Sequence, residues 1–271
     1  MRRLVQATAV ALLCFGASNA MASPRTECQP QALRDLQRLS PEGYAIYTAI
    51  PDKKHFMFFL TCDNVQLGLA TAVHESVHML TDVKDAYPLI NGGAVKRAHE
   101  VGKFYAPREI AKKFDASDPY VQTYLRRGAA SSADDFMYLL DELNAYSHDL
   151  NSAVKLTSLN NQAAGQADHR AGLAALMSFM MSYVDGARQD KPPTWQGLQR
   201  PQVKQVVHAI WSQAETVLAK SMGARGMGGE KYVRFLCNQA NSGGLRELLG
   251  RGPMSAAVCT TGTPPETGSL R

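Results

Sequence analysis

The stretch Thr71–Leu80, TAVHESVHML, sets two histidines and a glutamate inside an apolar run. From Val65 to Thr81 the only formally charged residue is Glu75. The preceding "CDN" offers Asp63 or Asn64 as an N-cap, and no proline or glycine lies near the histidines. The spacing therefore predicts a helix running to about Asp82. It is apolar almost all round, so it belongs in the interior rather than on the surface. A lone carboxylate in such surroundings is costly unless something positive meets it.

His74 and His78 are four residues apart, so on a helix they project from one face, one turn apart. Two imidazoles at that spacing can grip a single ion. Glu75, beside His74, can reach water activated by that ion without being a ligand itself. A dication with its water would also be the partner that Glu75 requires. The stretch resembles the active-site helix of HExxH zinc metallopeptidases. That resemblance implies Zn2+ as cofactor, His74 and His78 as ligands, and Glu75 as the catalytic base. Two helix histidines satisfied by their neighbours would give the same string; the uncharged flanks weigh against that alternative.

A catalytic zinc site takes a third protein ligand and keeps one position for water. In the metzincin pattern a histidine or aspartate follows six residues after the second histidine; here that residue is Lys84, which excludes the subclass. Gluzincin-type enzymes draw a glutamate from a later helix, and "LLDELNAYSHD" offers Glu142. Its helical neighbours Leu139, Leu143 and Tyr146 would bring it out toward the interior. The plainer alternative is a solvated acid beside Asp141. The usual gluzincin spacing has an aspartate four residues after the ligand, where this chain has Tyr146, with Asp149 farther on. The resemblance is thus gluzincin-like and confined to the motif helix and this later one. Asp82, one turn after His78, competes as third ligand or as a carboxylate orienting that imidazole; it could equally pair with Lys84. Amide hydrolysis also needs a donor for the developing oxyanion. Tyr146, on the face of Glu142, is preferred over His148, His99 and Tyr105.

The chain has 271 residues and five cysteines. Arg2 and Arg3, the apolar "LVQATAVALLCFGA" and the small-residue "SNAMAS" follow the plan of a secretory signal peptide over residues 1–22. Export, to a periplasmic or extracellular space, leaves Cys28, Cys62, Cys237 and Cys259. An even number in an oxidising compartment suggests two disulfides, and sequence neighbours give the simplest pairing, Cys28–Cys62 and Cys237–Cys259. No later segment is apolar enough to span a bilayer, so no stable membrane anchor is expected. Without the two leader arginines, the remaining Lys and Arg exceed the 24 Asp and Glu by about three, scattered rather than striped, which argues against nucleic acid.

The expected fold is α+β and mainly α-helical. "YAIYTAI" and "HFMFFLT", separated by "PDKK", read as a small N-terminal β-hairpin packed on the buried motif helix. "AYPLINGG" reads as a loop or short strand, and "PREIAKKF" as a short helix. Beyond it comes a helical second half: a long helix with a stripe of Phe136, Leu140, Leu143, Leu150 and Val154, then helices at about 165–187, 202–222 and around "KYVRFLCNQA". One domain over 23–258 is expected, divisible into lobes at about 128/129, with a disordered tail over 259–271. The functional expectation is an exported zinc metallopeptidase acting on a peptide or protein substrate. The alternative is an exported zinc-binding or interaction protein whose HExxH site does not turn over.

Overall fold

The computed structural model describes residues 27–128, 133–160, 169–224 and 226–261. The leader expected at 1–22 and most of the tail lie outside these residues. The architecture is mainly helical with one small antiparallel sheet, the class the sequence implied.

The motif helix, α4 (Val65–Lys84), is the centre of the fold. Asn64 caps it, its side-chain oxygen accepting from the Leu67 N–H at 3.1 Å, and the helix ends at Asp85 in the left-handed region, φ 49°. Leu69, Val73, Val77 and Leu80 are fully buried; sequestering each such side chain from water contributes about 1.5–3 kcal/mol. Three short helices cover one side of α4: α1 (Gln29–Leu39), α2 (Pro41–Ala49) and α3 (Lys53–Phe59). Ala32, Leu36, Ile46, Ile50, Phe56 and Leu60 from this layer form one apolar cluster with α4.

Here the sequence expectation of a hairpin is corrected. "YAIYTAI" lies in α2 and "HFMFFLT" runs through α3. The end signals outweigh the β-propensity of the aromatic residues. Pro41 occupies the first helical turn of α2, Glu42 favours the positive end of its dipole, and Asp52 caps α3 by accepting from the Lys54 N–H. The "PDKK" turn does helix-ending work: Lys53 Nζ donates to the carbonyls of Tyr47, Thr48 and Ile50, closing the C-terminus of α2.

The one sheet among the described residues lies after α4. Strands β1 (Ala86–Pro88) and β2 (Ala94–Lys96) pair antiparallel with Tyr87 opposite Val95. Tyr87 is fully buried, and its hydroxyl donates to the Met137 carbonyl at 3.1 Å. Short 3-10 helices follow at His99–Lys103 and Pro107–Lys113, the second where a short helix was expected. α5 (Pro119–Tyr124) then leads toward the second half.

α6 (Phe136–Lys155), capped by Asp135, lies antiparallel against the other side of α4. Gln66 near the start of α4 donates to the Ala153 carbonyl at 2.7 Å, while His78 near its end meets Asp141 at 2.6 Å. Behind α6 stand α7 (His169–Asp190) and α9 (Pro201–Ser221), with α8 (Pro192–Leu198) in the proline-rich break between them. α10 (Glu230–Cys237), α11 (Gly243–Leu249) and α12 (Ala256–Thr261) close the far side; the last two were not anticipated. Phe136, Leu140, Leu143 and Leu150 of the expected stripe are buried, and Val154 packs half-buried against them. Tyr87, Ile110 and Val121 join this larger cluster, so it draws on residues from both sides of position 128.

Both disulfides form as expected, Cys28–Cys62 and Cys237–Cys259. They fit a non-reducing environment. No helix of the described residues is long and apolar enough to cross a membrane. Cys259 lies within α12, so helix extends past the position where the tail was expected to begin.

The Cys28–Cys62 link ties the start of α1 to the chain entering α4 across a separation of 34 residues. Replacing both cysteines by serine should lower the unfolding free energy by about 3–4 kcal/mol, read as a fall in the urea midpoint. An unchanged midpoint would show that the helical layer holds its place without the link.

Candidate metal centre

The site is assembled where α4 faces α6. His74 and His78 stand one turn apart on α4, and the antiparallel neighbour brings Glu142 opposite both. His74 Nε2 and His78 Nε2 are 3.2 Å apart, and each is 3.5 Å from Glu142 Oε2. These atoms form a cluster of metal-ligating type. Four donors placed about 2.0–2.1 Å from a tetrahedral zinc ion lie about 3.3 Å from one another. The triangle therefore matches one face of such a tetrahedron in size, and its two nitrogens and one oxygen suit a borderline cation.

The outer nitrogens of both imidazoles face carboxylates. His78 Nδ1 donates to Asp141 Oδ2 at 2.6 Å. His74 Nδ1 lies 4.0 Å from Asp149 Oδ2, and the other oxygen of Asp149 accepts from His169 Nδ1 at 2.5 Å. A carboxylate oxygen only accepts, so the Nδ1 of His78 carries its proton and leaves Nε2 to face Glu142. Carboxylates behind ligating histidines are the usual means of fixing ring orientation and raising ligand basicity.

Burial and charge oppose one another here. Desolvation alone would lower the pKa of His78, but hydrogen bonds to Asp141 and Glu142, with their charges, raise it to about 10. Desolvation alone would raise that of Glu142, but the two imidazoles hold its carboxyl well below the usual carboxylate range. The pocket of acids thus favours positive charge at the point where the three donors converge. His74 and Glu142 are nearly sealed, whereas the His78 side chain is 24% exposed, so solvent reaches the site from that side.

Glu75 is half-buried beside His74. Among the described residues no hydrogen bond or ion pair engages its carboxylate; only its backbone carbonyl is used, by His55 Nε2 at 3.3 Å. Tyr146 is at the site: its ring meets that of His74 edge-on, centroids 4.6 Å apart. Its hydroxyl is 2.8 Å from that of Tyr124, a residue from α5 that the sequence did not single out. Burial, then the charges of Glu142 and Glu75, push the Tyr124 hydroxyl well above the ordinary tyrosine range; burial and the Tyr124 hydroxyl do the same for Tyr146. Both tyrosines are therefore protonated donors at neutral pH.

Asp82, the competing acid, is not at the site. Its side chain is largely exposed and forms an ion pair with Arg97 at 2.9 Å; the position behind His78 belongs to Asp141. The other candidate donors also lie elsewhere. His148 is fully buried, donates from Nε2 to the Pro88 carbonyl at 3.0 Å, and is kept neutral by burial, which lowers its pKa to about 4. His99 is exposed and pairs with Asp85. The Tyr105 ring stacks on Tyr183, and each hydroxyl donates to the other's backbone carbonyl. Sequence reasoning missed Asp141, Tyr124, His169 and Gly172. The adjacent acids Asp141 and Glu142 among Leu139, Leu140 and Leu143 were the available signal for the first; the others depend on chain segments far away.

Gly172 on α7 makes room for Tyr146: a Cβ there would fall 2.2 Å from Tyr146 Cε1. No protein-family model matches the chain, and comparison with curated proteins and with solved structures found no match.

Two measurements test this geometry. Asp141→Asn should weaken divalent-metal binding about 10- to 100-fold, measured by competition with a chelator; wild-type affinity would deny Asp141 its orienting role. Gly172→Ala should destabilise the fold by about 1–3 kcal/mol through overpacking, with displacement of the Tyr146 ring visible by NMR. An unmoved ring at full stability would contradict the contact.

Proposed function

We propose that the protein is an exported zinc-dependent metallopeptidase that hydrolyses peptide bonds, gluzincin-like in its ligand set. The observation that carries this reading is the triangle of His74 Nε2, His78 Nε2 and Glu142 Oε2, with sides of 3.2, 3.5 and 3.5 Å, beside a half-buried, unengaged Glu75 carboxylate. His74, His78 and Glu142 would hold the ion. Bound zinc supplies Lewis-acid polarisation of a carbonyl and a lowered pKa for water.

The remaining work belongs to the protein's own groups. Glu75 takes a proton from the attacking water on its carboxylate and delivers it to the leaving amine nitrogen, so the base of the first step is the acid of the second. Tyr146, with its proton retained and its hydroxyl linked to Tyr124, donates toward the oxygen on which negative charge develops. Asp141 holds the His78 ring in one tautomer. The leader-like N-terminal sequence and two disulfides support delivery to a periplasmic or extracellular space.

The test is metal analysis and hydrolysis of a quenched peptide library by the purified protein and three variants. The wild type should carry about one zinc per chain, with His74→Ala and Glu142→Ala losing it. Glu75→Gln should keep the metal and hydrolyse about 100-fold more slowly or worse. Zinc in the wild type with hydrolysis indifferent to Glu75→Gln would point instead to the non-catalytic zinc-binding protein.

A further inference from the structure

α7 contributes nothing to the three-donor triangle, yet it reaches the site through His169. That side chain and the Asp149 carboxylate are both nearly sealed from solvent, at 4% and 8% exposure, and their hydrogen bond of 2.5 Å occupies one oxygen of Asp149. The second oxygen is the one that faces His74 Nδ1 at 4.0 Å. Asp149 therefore stands between two imidazoles from different helices. Its orientation is set from the α7 side, since the shorter and stronger contact is there.

We infer that His169 is a positioning residue of the metal centre, acting through Asp149 to hold the His74 ring. This rests on the metal-site reading of His74, His78 and Glu142. A carboxylate left to rotate about its own χ angles could turn to solvate either imidazole. With one oxygen pinned by His169, the other remains directed at Nδ1 of His74, favours the tautomer protonated there, and so leaves Nε2 of His74 toward the other donors. The two ligating histidines are then supported differently. His78 receives its carboxylate directly from Asp141, whereas His74 receives it through a chain of two residues spanning α6 and α7. Arg170, the next residue, donates to the carbonyls of Ser221, Ala224 and Gly228, and so anchors the first turn of α7 where His169 stands.

The experiment uses the full mature chain stripped of metal and titrated with Zn2+ against a competing chelator, with Co2+ substitution giving a visible spectrum that reads ligand geometry. His169→Leu should weaken zinc about 10- to 100-fold and change the Co2+ spectrum. His169→Asn, which can set an amide N–H near the place of Nδ1, should restore most of the affinity; His169→Gln, with its amide one atom farther out, should not. Asp149→Asn should weaken zinc to a similar extent, and adding it to His169→Leu should cause little further loss, since both changes break one chain of contacts. Wild-type affinity and spectrum in His169→Leu, or independent losses in the double variant, would overturn the inference. Should His169→Leu fail to fold, equal affinities for the Asn and Gln variants would overturn it in its place. A wild type that takes up no stoichiometric zinc would remove the site itself. Zinc bound by the wild type, lost in His78→Ala and indifferent to His169 would remove only the role given to His169.

Discussion

The fold depends on a charged seam buried between two helices. Asp141, Glu142 and Asp149 of α6 are each at least nine-tenths sealed from solvent, and each faces an imidazole. Unpaired, such groups would oppose folding strongly. Paired, they specify how α4 and α6 meet. Apolar side chains such as Ala70, Leu139 and Leu143 would tolerate a slide of one helix along the other. The contacts of Gln66 with the Ala153 carbonyl and of His78 with Asp141 lie at opposite ends of the interface. A slip of one turn, about 5.4 Å, would break both and set carboxylates against hydrocarbon.

The same seam explains why a third helix is needed. α4 and α6 supply the three converging donors, but the support for His74 passes on to His169, and the Tyr146 ring is seated against Gly172. Both contacts lie in the first turn of α7 described here. The segment Met227–Gly229 helps to fix that turn: Gly229, at φ 92°, approaches the Ala171 backbone so closely that a Cβ would fall 3.0 Å from its nitrogen, and the Met227 carbonyl accepts from the Arg170 N–H. These two contacts clamp the wall of the site.

How far the sequence disclosed this follows from the range of each interaction. His74 and His78 were legible because helical spacing alone sets their relation, and Glu142 because it flanks the leucine stripe of its helix and so turns inward. Asp82 stayed open between the site and a surface pair with Lys84, because its fate is decided by Arg97, just beyond β2, whose guanidinium comes within 2.9 Å. Asp141 and Glu142 are neighbours about 100° apart on the helix; only the placement of α4 reveals that the first backs one histidine while the second faces both. The N-terminal layer failed for a different reason. Aromatic and β-branched residues in α2 and α3 suggested strands, while the information that decided their conformation lay in Pro41, Asp52 and Lys53, at the helix ends. End chemistry, worth about 1 kcal/mol per cap, prevailed because the helices also bury Ile46, Phe56 and Leu60 against α4.

Donor type and spacing also narrow which cation the seam favours. Calcium binds six to eight oxygens at about 2.3–2.6 Å, and magnesium keeps several waters in an octahedron; neither fits two imidazoles and one carboxylate about 3.3 Å apart. Copper(II) prefers a tetragonal arrangement, whereas edges of 3.2, 3.5 and 3.5 Å describe a compact triangular face. Zinc has no geometric preference from its d electrons, so under the proposed function this face would suit it. Of the three donors only His78 has an appreciably exposed side chain, at 24%, so solvent and any cation meet the triangle from that flank, while the carboxylates behind the rings hold it together from within.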